Sequence, residues 1–156
     1  MQYWTGTSED KIGQSLGKSF VLNTGNPLVP PYSAIGFSKD GALNGIAIFT
    51  DYTESSVELH LYAPDCMYRH TISFVLDYIF NTLKCNIFIV KPYRSNKKLL
   101  KIIGRIAGNY KSYRCTIEQY YGPNSDEDAI LHVFNREWAE KWIKISAEST
   151  KSTSRA

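Results

Sequence analysis

The chain has 156 residues, 43% of them apolar, a size that suits one globular domain able to bury a core without staples or metals. Its three cysteines (Cys66, Cys85, Cys115) show neither CxxC spacing nor an even count and read better as reduced thiols than as a disulfide framework or a zinc site. Net charge is +3. The opening MQYWTGTSED has neither the basic nor the apolar region of a secretion signal, and no apolar run is long enough to span a bilayer, so a soluble, non-exported chain is expected.

The charge is unevenly distributed. Eight basic residues (Lys91, Arg94, Lys97, Lys98, Lys101, Arg105, Lys111, Arg114) fall in the one stretch from Lys91 to Arg114 without an acidic residue among them. That stretch could face an anionic ligand or an acidic partner. The eleven tyrosines, seven phenylalanines and three tryptophans favour sheets and contact surfaces.

In chain order, Ser8 is the expected N-cap of a helix over EDKIGQSLGKSFVL, in which Ile12, Leu16 and Phe20 recur four apart. Gly13 and Gly17 inside it weaken the helix or mark a close approach to another element. NTGNPLVPP (23–31) reads as a loop, and SAIGFSKDGALNGIAIFT as two strands turned at Lys39-Asp40-Gly41. Val57–Tyr62 alternates as a half-buried strand. Met67–Leu83 places Ile72, Val75, Leu76, Ile79, Phe80 and Leu83 on one helical face. Ile87–Val90 is short and unbroken, as a strand buried on both faces would be. Ser95 or Asn96 starts a basic helix that runs to about Ala107 and turns at Gly108-Asn109. Strands follow at Tyr113–Tyr121 and Ala129–Phe134, separated by the acidic loop GPNSDED. Asn135 caps a last helix in which Trp138 and Trp142 are four apart. The organisation expected is one domain, α+β in class: an N-terminal strand, helix and loop over residues 1–32, a core over 33–146, and a polar tail over 147–156.

Hairpin, strand, helix, strand, helix, strand, strand is an order that resembles the GNAT acetyltransferase fold from about Ser33 to Trp142. Three segments carry the resemblance. FVLDYIFNTLKCNIFIV resembles the end of the family's long helix and its following strand, SNKKLLKIIGRIAG its Asn-started helix, and GPNSDEDAILHVFNREWAEKW the closing strand and helix of bacteriophage-encoded members. The resemblance implies a single GNAT-like domain, a mixed sheet of about six strands flanked by helices. It also implies acetyl-CoA lying between the strands that here are Val57–Tyr62 and Ile87–Val90, with its pyrophosphate on the N-terminus of the intervening helix.

On that pattern Leu61, Tyr62, Arg69, Asn96 and Lys98 are the implied cofactor contacts. Glu58 and His60, two apart on one strand, are candidates for the base, or else solvent-facing residues opposite Leu59 and Leu61. Tyr110 and Tyr113 are candidates for the tyrosine that protonates the leaving thiolate, and Asn96 is equally a plain N-cap. Cys66 sits where a helix N-terminus would favour a thiolate, with no base partner evident. The family's Arg/Gln-x-x-Gly-x-Gly/Ala turn is replaced by Ala63-Pro64-Asp65-Cys66-Met67-Tyr68-Arg69: Pro64 offers no N–H, and Asp65 is expected to cap the helix and repel a pyrophosphate. The basic helix can approach the CoA 3′-phosphate. It can also present a nucleic-acid patch flanked by Tyr93, Tyr110 and Tyr113, or be a solvated face opposite Leu99, Leu100, Ile102, Ile103 and Ile106.

Two function classes follow. The altered turn favours a catalytically silent, phage-type GNAT-like protein acting through protein contacts, for instance inside a virion. The alternative is an acetyl-CoA-dependent N-acetyltransferase acting on a small-molecule or protein amine. Either would sit in a bacterial host's cytoplasm or in the virion, with protein partners in the first case and neither a nucleic-acid partner nor a metal expected.

Overall fold

The computed structural model describes residues 1–65, 67–110, 113–122 and 127–143, Tyr113 by its backbone only. The first strand, β1 (Gln2–Thr7), leads into α1 (Lys11–Thr24). Asp10, not Ser8, caps this helix: its carboxylate accepts the Gly13 N–H at 2.7 Å and the Thr7 N–H at 2.9 Å. Ser8 lies two residues too early and instead accepts from the Tyr32 N–H. The two helix glycines mark close approaches. A Cβ on Gly13 would lie 1.9 Å from the Thr7 carbonyl oxygen, and one on Gly17 2.2 Å from the Tyr32 hydroxyl.

Next come β2 (Ser33–Lys39) and β3 (Ala42–Thr50), joined by a two-residue turn with Asp40 at φ 54° and Gly41 at φ 80°. Positive φ at both positions is the conformation that matches strand twist, and Asp-Gly supplies it at least cost. β4 (Ser56–Tyr62) precedes α2 (Arg69–Asp77), which continues as a π-helical turn over Tyr78–Thr82. Then follow β5 (Ile87–Val90), α3 (Lys97–Ala107), β6 (Tyr113–Ile117), β7 (Ala129–Asn135) and a helix over 136–143, α4.

The seven strands form one mixed sheet in the order β1-β2-β3-β4-β5-β7-β6, with β4 and β5 parallel and every other pair antiparallel. The strand beyond the expected six is β1, an edge strand. α1 packs on β1 to β4, burying Leu16 and Phe20 against Ala34, Ile46 and Ile48. The opposite face carries the larger core, where Ile72, Val75, Leu76, Ile79 and Phe80 of the α2 segment meet Ile35, Phe49, Val57, Phe88 and Phe134.

Several expectations change here. The strands buried on both faces are β2 and β3; in β5 buried Phe88 and Val90 alternate with half-buried Ile87 and Ile89, because α1 does not reach across it. The strand expected to run to Tyr121 ends at Ile117, and Gln119 turns the chain at φ 49°. Helix α2 begins at Arg69 with Tyr68 in the cap position and, among the described residues, no side-chain cap. Asp65, expected to fill that role, lies too far ahead of the first turn. At the other end the π-turn bonds Leu83 N–H to Tyr78 carbonyl, and the Arg136 guanidinium donates to the Phe80 and Cys85 carbonyls. Asn96 and Asn135 cap as expected, accepting the Leu99 N–H at 3.2 Å and the Trp138 N–H at 3.0 Å. No helix of the described residues is long and apolar enough to cross a membrane. Cys66 and the Lys151–Ala156 tail lie outside the described residues.

Candidate active site

The parallel pairing of β4 with β5 covers only three residue pairs and stops at Glu58 opposite Ile89. From Leu59 to Tyr62 the strand is bonded to β3 on one side, while its edge toward β5 is unpaired, leaving backbone donors and acceptors on an open gap. A cavity of about 900 Å³ runs through this gap. One end is walled by α1 and the loop after it (Phe20, Asn23, Asn26, Val29), the other by α3 (Asn96, Lys98, Leu99, Ile102).

Period-2 alternation decides what faces each end. Leu59 joins the core shared with α2 and α3, whereas Glu58, His60 and Tyr62 face the α1 side. Glu58 and His60 therefore line the cavity and do not simply point to bulk solvent. The Glu58 side chain is only 11% exposed and meets the Lys91 ammonium at 3.1 Å. Burial pushes the Glu58 carboxyl above its ordinary value, with Lys91 opposing and nearby Asp51 assisting. For Lys91, burial presses the pKa down, but the Tyr120 hydroxyl and the Glu58 carboxylate outweigh it and the net direction is up. The carboxyl and the ammonium thus each favour the other's charged form across 3.1 Å, against the burial that both undergo. His60 Nε2 lies 2.7 Å from Thr50 Oγ1 and 3.7 Å from Glu58 Oε1. Burial, then the Lys91 charge, lowers its pKa, so the ring is neutral at pH 7.

Tyrosines close the cavity. Lys91 Nζ donates to the Tyr120 hydroxyl, the Tyr121 hydroxyl donates to the Lys91 carbonyl at 2.7 Å, and the Tyr93 hydroxyl to Asn26 Oδ1 at 3.1 Å. Burial, with Tyr93 and Tyr120 beside it, holds the Tyr121 hydroxyl far above the usual phenol range. The turn bearing Tyr120 and Tyr121 is held by Asp128, whose carboxylate accepts the Gln119 N–H and pairs with Arg94 at 3.1 Å. Part of the acidic loop thus answers part of the basic stretch.

No protein-family model matches the chain, and no curated protein matches it in sequence. Solved structures match its shape. The N-acetyltransferase PseH of Campylobacter jejuni superposes with a TM-score of 0.57 at 16% identity, over 87% of this chain and 99% of that one. The same enzyme in complex with acetyl coenzyme A gives 0.55 at 16% identity, over 86% and 99%. The spermidine/spermine N-acetyltransferase SpeG of Vibrio cholerae, in complex with manganese ions, gives 0.64 at 14% identity, over 93% and 97%. The chain has the GNAT-like acetyltransferase fold.

Within this GNAT-like fold the predicted site residues separate. Glu58, His60, Leu61, Tyr62, Asn96 and Lys98 all line the one cavity. Arg69 opens α2 and is exposed, outside the cavity wall. Tyr110 is turned into the core, with its ring 6.1 Å from that of Phe134 and 5.9 Å from that of Trp138, away from the gap. The Tyr113 side chain lies outside what the structure describes. Tyr93, engaged with Asn26 and packed 4.1 Å from Tyr121, and Tyr110 offer no stacking platform beside α3.

Sequence reasoning missed Lys91, Tyr120, Tyr121 and Asp51. Lys91 was detectable, since it directly follows the buried run IFIV and so emerges at the carboxyl end of a central strand, where open α/β sheets hold ligands.

The residues fit coenzyme A. The open β4 edge can bond an extended amide-bearing chain, α2 presents N–H groups that no described side chain caps, and the first turn of α2 contains no acidic residue.

Proposed function

We propose that this protein is an acyl-CoA-dependent N-acetyltransferase acting on a primary amine. The observation that carries the proposal is the Glu58–Lys91 pair, half-buried in a cavity that passes through the sheet where β4 and β5 part. A buried ion pair is a poor device for stability, since desolvation offsets its attraction. Its retention beside an open gap supports a chemical role. The three matched structures are of two N-acetyltransferases, and one of those structures holds acetyl coenzyme A.

In this reading the Leu59–Tyr62 edge, the uncapped start of α2, Asn96 and Lys98 hold the coenzyme, with Arg69 adding charge near its phosphates. Bound there, coenzyme A supplies a thioester-activated acetyl carbon. Glu58, directly or through a water, accepts a proton from the incoming amine as the C–N bond forms and the C–S bond breaks. Lys91 orients the carboxylate and keeps it ionised. Neutral His60, fixed by Thr50, lines the amine's approach. Lys91 already donates to the Tyr120 oxygen, which leaves the Tyr120 O–H free to protonate the departing sulfur. The residues ahead of α2 would offer the phosphates neither a glycine nor, at Pro64, an N–H.

A second reading is favoured by that same turn: a silent GNAT-like protein working through protein contacts, as in a phage virion. Uncapped α2 amides and a carboxylate in the cavity argue for the enzyme. Release of free thiol from acetyl-CoA, followed across a panel of amines (polyamines, amino sugars, amino acids, peptide N-termini), tests it. Amine-dependent release is expected; none with any acceptor, on protein that binds acetyl-CoA, would sink the catalytic claim.

A further inference from the structure

Thr50, the last residue of β3, pairs with Glu58 and shares its face of the sheet. An Asp51 that continued the strand would turn to the opposite face. Asp51 instead takes φ 51°, a left-handed conformation that Asp and Asn adopt more readily than most side chains. Its carboxyl thereby returns to the cavity wall, within hydrogen-bonding reach of the Glu58 carboxyl. Asp51 is exposed and the Glu58 side chain only 11% so, which puts one acid outside the other.

The charges of the cavity divide by end. The charged side chains in its wall are Asp51, Glu58, Lys91 and Lys98, and Lys98 belongs to α3. At the α1 end two carboxylates therefore face one ammonium. Lys91 is committed to Glu58 at 3.1 Å and to the Tyr120 hydroxyl, and among the described residues no cation pairs with Asp51. Neutral His60 adds none. The rest of the wall there is ring, amide and hydroxyl, as at Phe20, Asn23 and Tyr62. One negative charge is left over at the end from which the amine approaches. A ligand with a second positive charge balances it, whereas a ligand carboxylate meets two acids and no uncommitted cation.

We infer that Asp51 selects the acceptor by charge, favouring a primary amine that carries a second ammonium a few carbons away and rejecting one that carries a carboxylate there. The inference rests on the transferase reading above and narrows its amine. The reacting nitrogen loses its proton to Glu58 and forms the C–N bond as the C–S bond breaks. The second cation stays charged beside Asp51 and takes no part in the chemistry.

Three acceptors of matched length test this: butylamine, trimethylenediamine and β-alanine, which end in methyl, ammonium and carboxylate. Values of kcat/KM at saturating acetyl-CoA are compared between wild type and Asp51→Asn, which keeps the shape and tolerates the left-handed backbone. Dividing one protein's ratios by the other's cancels the diamine's two equivalent nitrogens and the differences in basicity. The preference for the diamine over butylamine should be about fivefold greater in wild type than in the variant, and the variant should accept β-alanine relatively better. A role for Asp51 confined to holding Glu58 or the turn would scale all three acceptors alike, so ratios equal in the two proteins would overturn the inference alone. On wild type by itself, added salt should erode the diamine's advantage; an advantage absent at low salt or unmoved by high salt would overturn the inference too. No turnover of any amine, by protein that binds acetyl-CoA, would overturn the transferase reading with it.

Discussion

Glu58 carries two opposing influences, burial that favours its proton and an ammonium 3.1 Å away that disfavours it. Replacing it by Gln keeps the shape and removes the base. Glu58→Gln is expected to lower the acyl-transfer rate about 10²-fold or more, with acetyl-CoA affinity little changed; a rate within a few-fold of wild type would remove Glu58 from the chemistry.

Its neighbour His60 predicts a pH effect of definite sign. Burial lowers its folded-state pKa below the ordinary 6.5, so the unfolded chain takes up the proton first as pH falls. Stability from the neutral ring is present above 6.5 and is lost as pH drops through the folded value. His132, also lowered by burial and then by Arg114, acts in the same direction. Urea melts at pH 7.5 and 5.5 should show the wild type losing more stability on acidification than His60→Gln; equal losses would contradict the assignment. The Glu58 carboxyl, raised above 4.5, contributes oppositely, most below 4.5 and less as pH rises.

At the scale of elements, two helix starts behave differently. Asp10 bonds the Gly13 and Thr7 amides at the start of α1, whereas α2 has no described side chain on its first amides. Asp10→Ala should lower the melting temperature measurably and Asp65→Ala should not. A drop for Asp65→Ala matching that for Asp10→Ala would show that Asp65 does cap α2. Gly13 is tied to its place by the Thr7 carbonyl, and Gly13→Ala is expected to cost about 1–3 kcal/mol or more in a chemical-denaturation experiment.

These elements also show what the sequence could and could not reveal. The apolar face of α2, the Asp40-Gly41 turn, and the Asn96 and Asn135 caps were legible because each depends on residues close together in the chain. The Asp65 cap was misread because α2 begins at Arg69 with Tyr68 in the cap position, so Asp65 precedes the first turn by too many residues to cap it. β1 was read only loosely, since the pairing of Gln2–Thr7 with β2 is non-local and an exposed edge strand has weak alternation.

For the whole molecule, the order of strands and helices was enough to indicate the fold, whereas the site was only half legible. Glu58, His60 and the α3 start are visible as positions on elements. Their meeting with Lys91, Tyr93, Tyr120 and Tyr121 depends on the parting of β4 from β5 and on the turn held by Asp128, both tertiary facts. The same parting opens the sheet from one face to the other and joins the α1 side, with its carboxylate, tyrosines and amides, to the α3 side. Titration of the purified chain with acetyl-CoA, read by thermal shift, tests this account most directly. Binding to the native state should raise stability by about 2.7 kcal/mol at a hundred times Kd, giving a shift of several degrees at micromolar to submillimolar ligand. A melting curve unmoved by millimolar acetyl-CoA would contradict it.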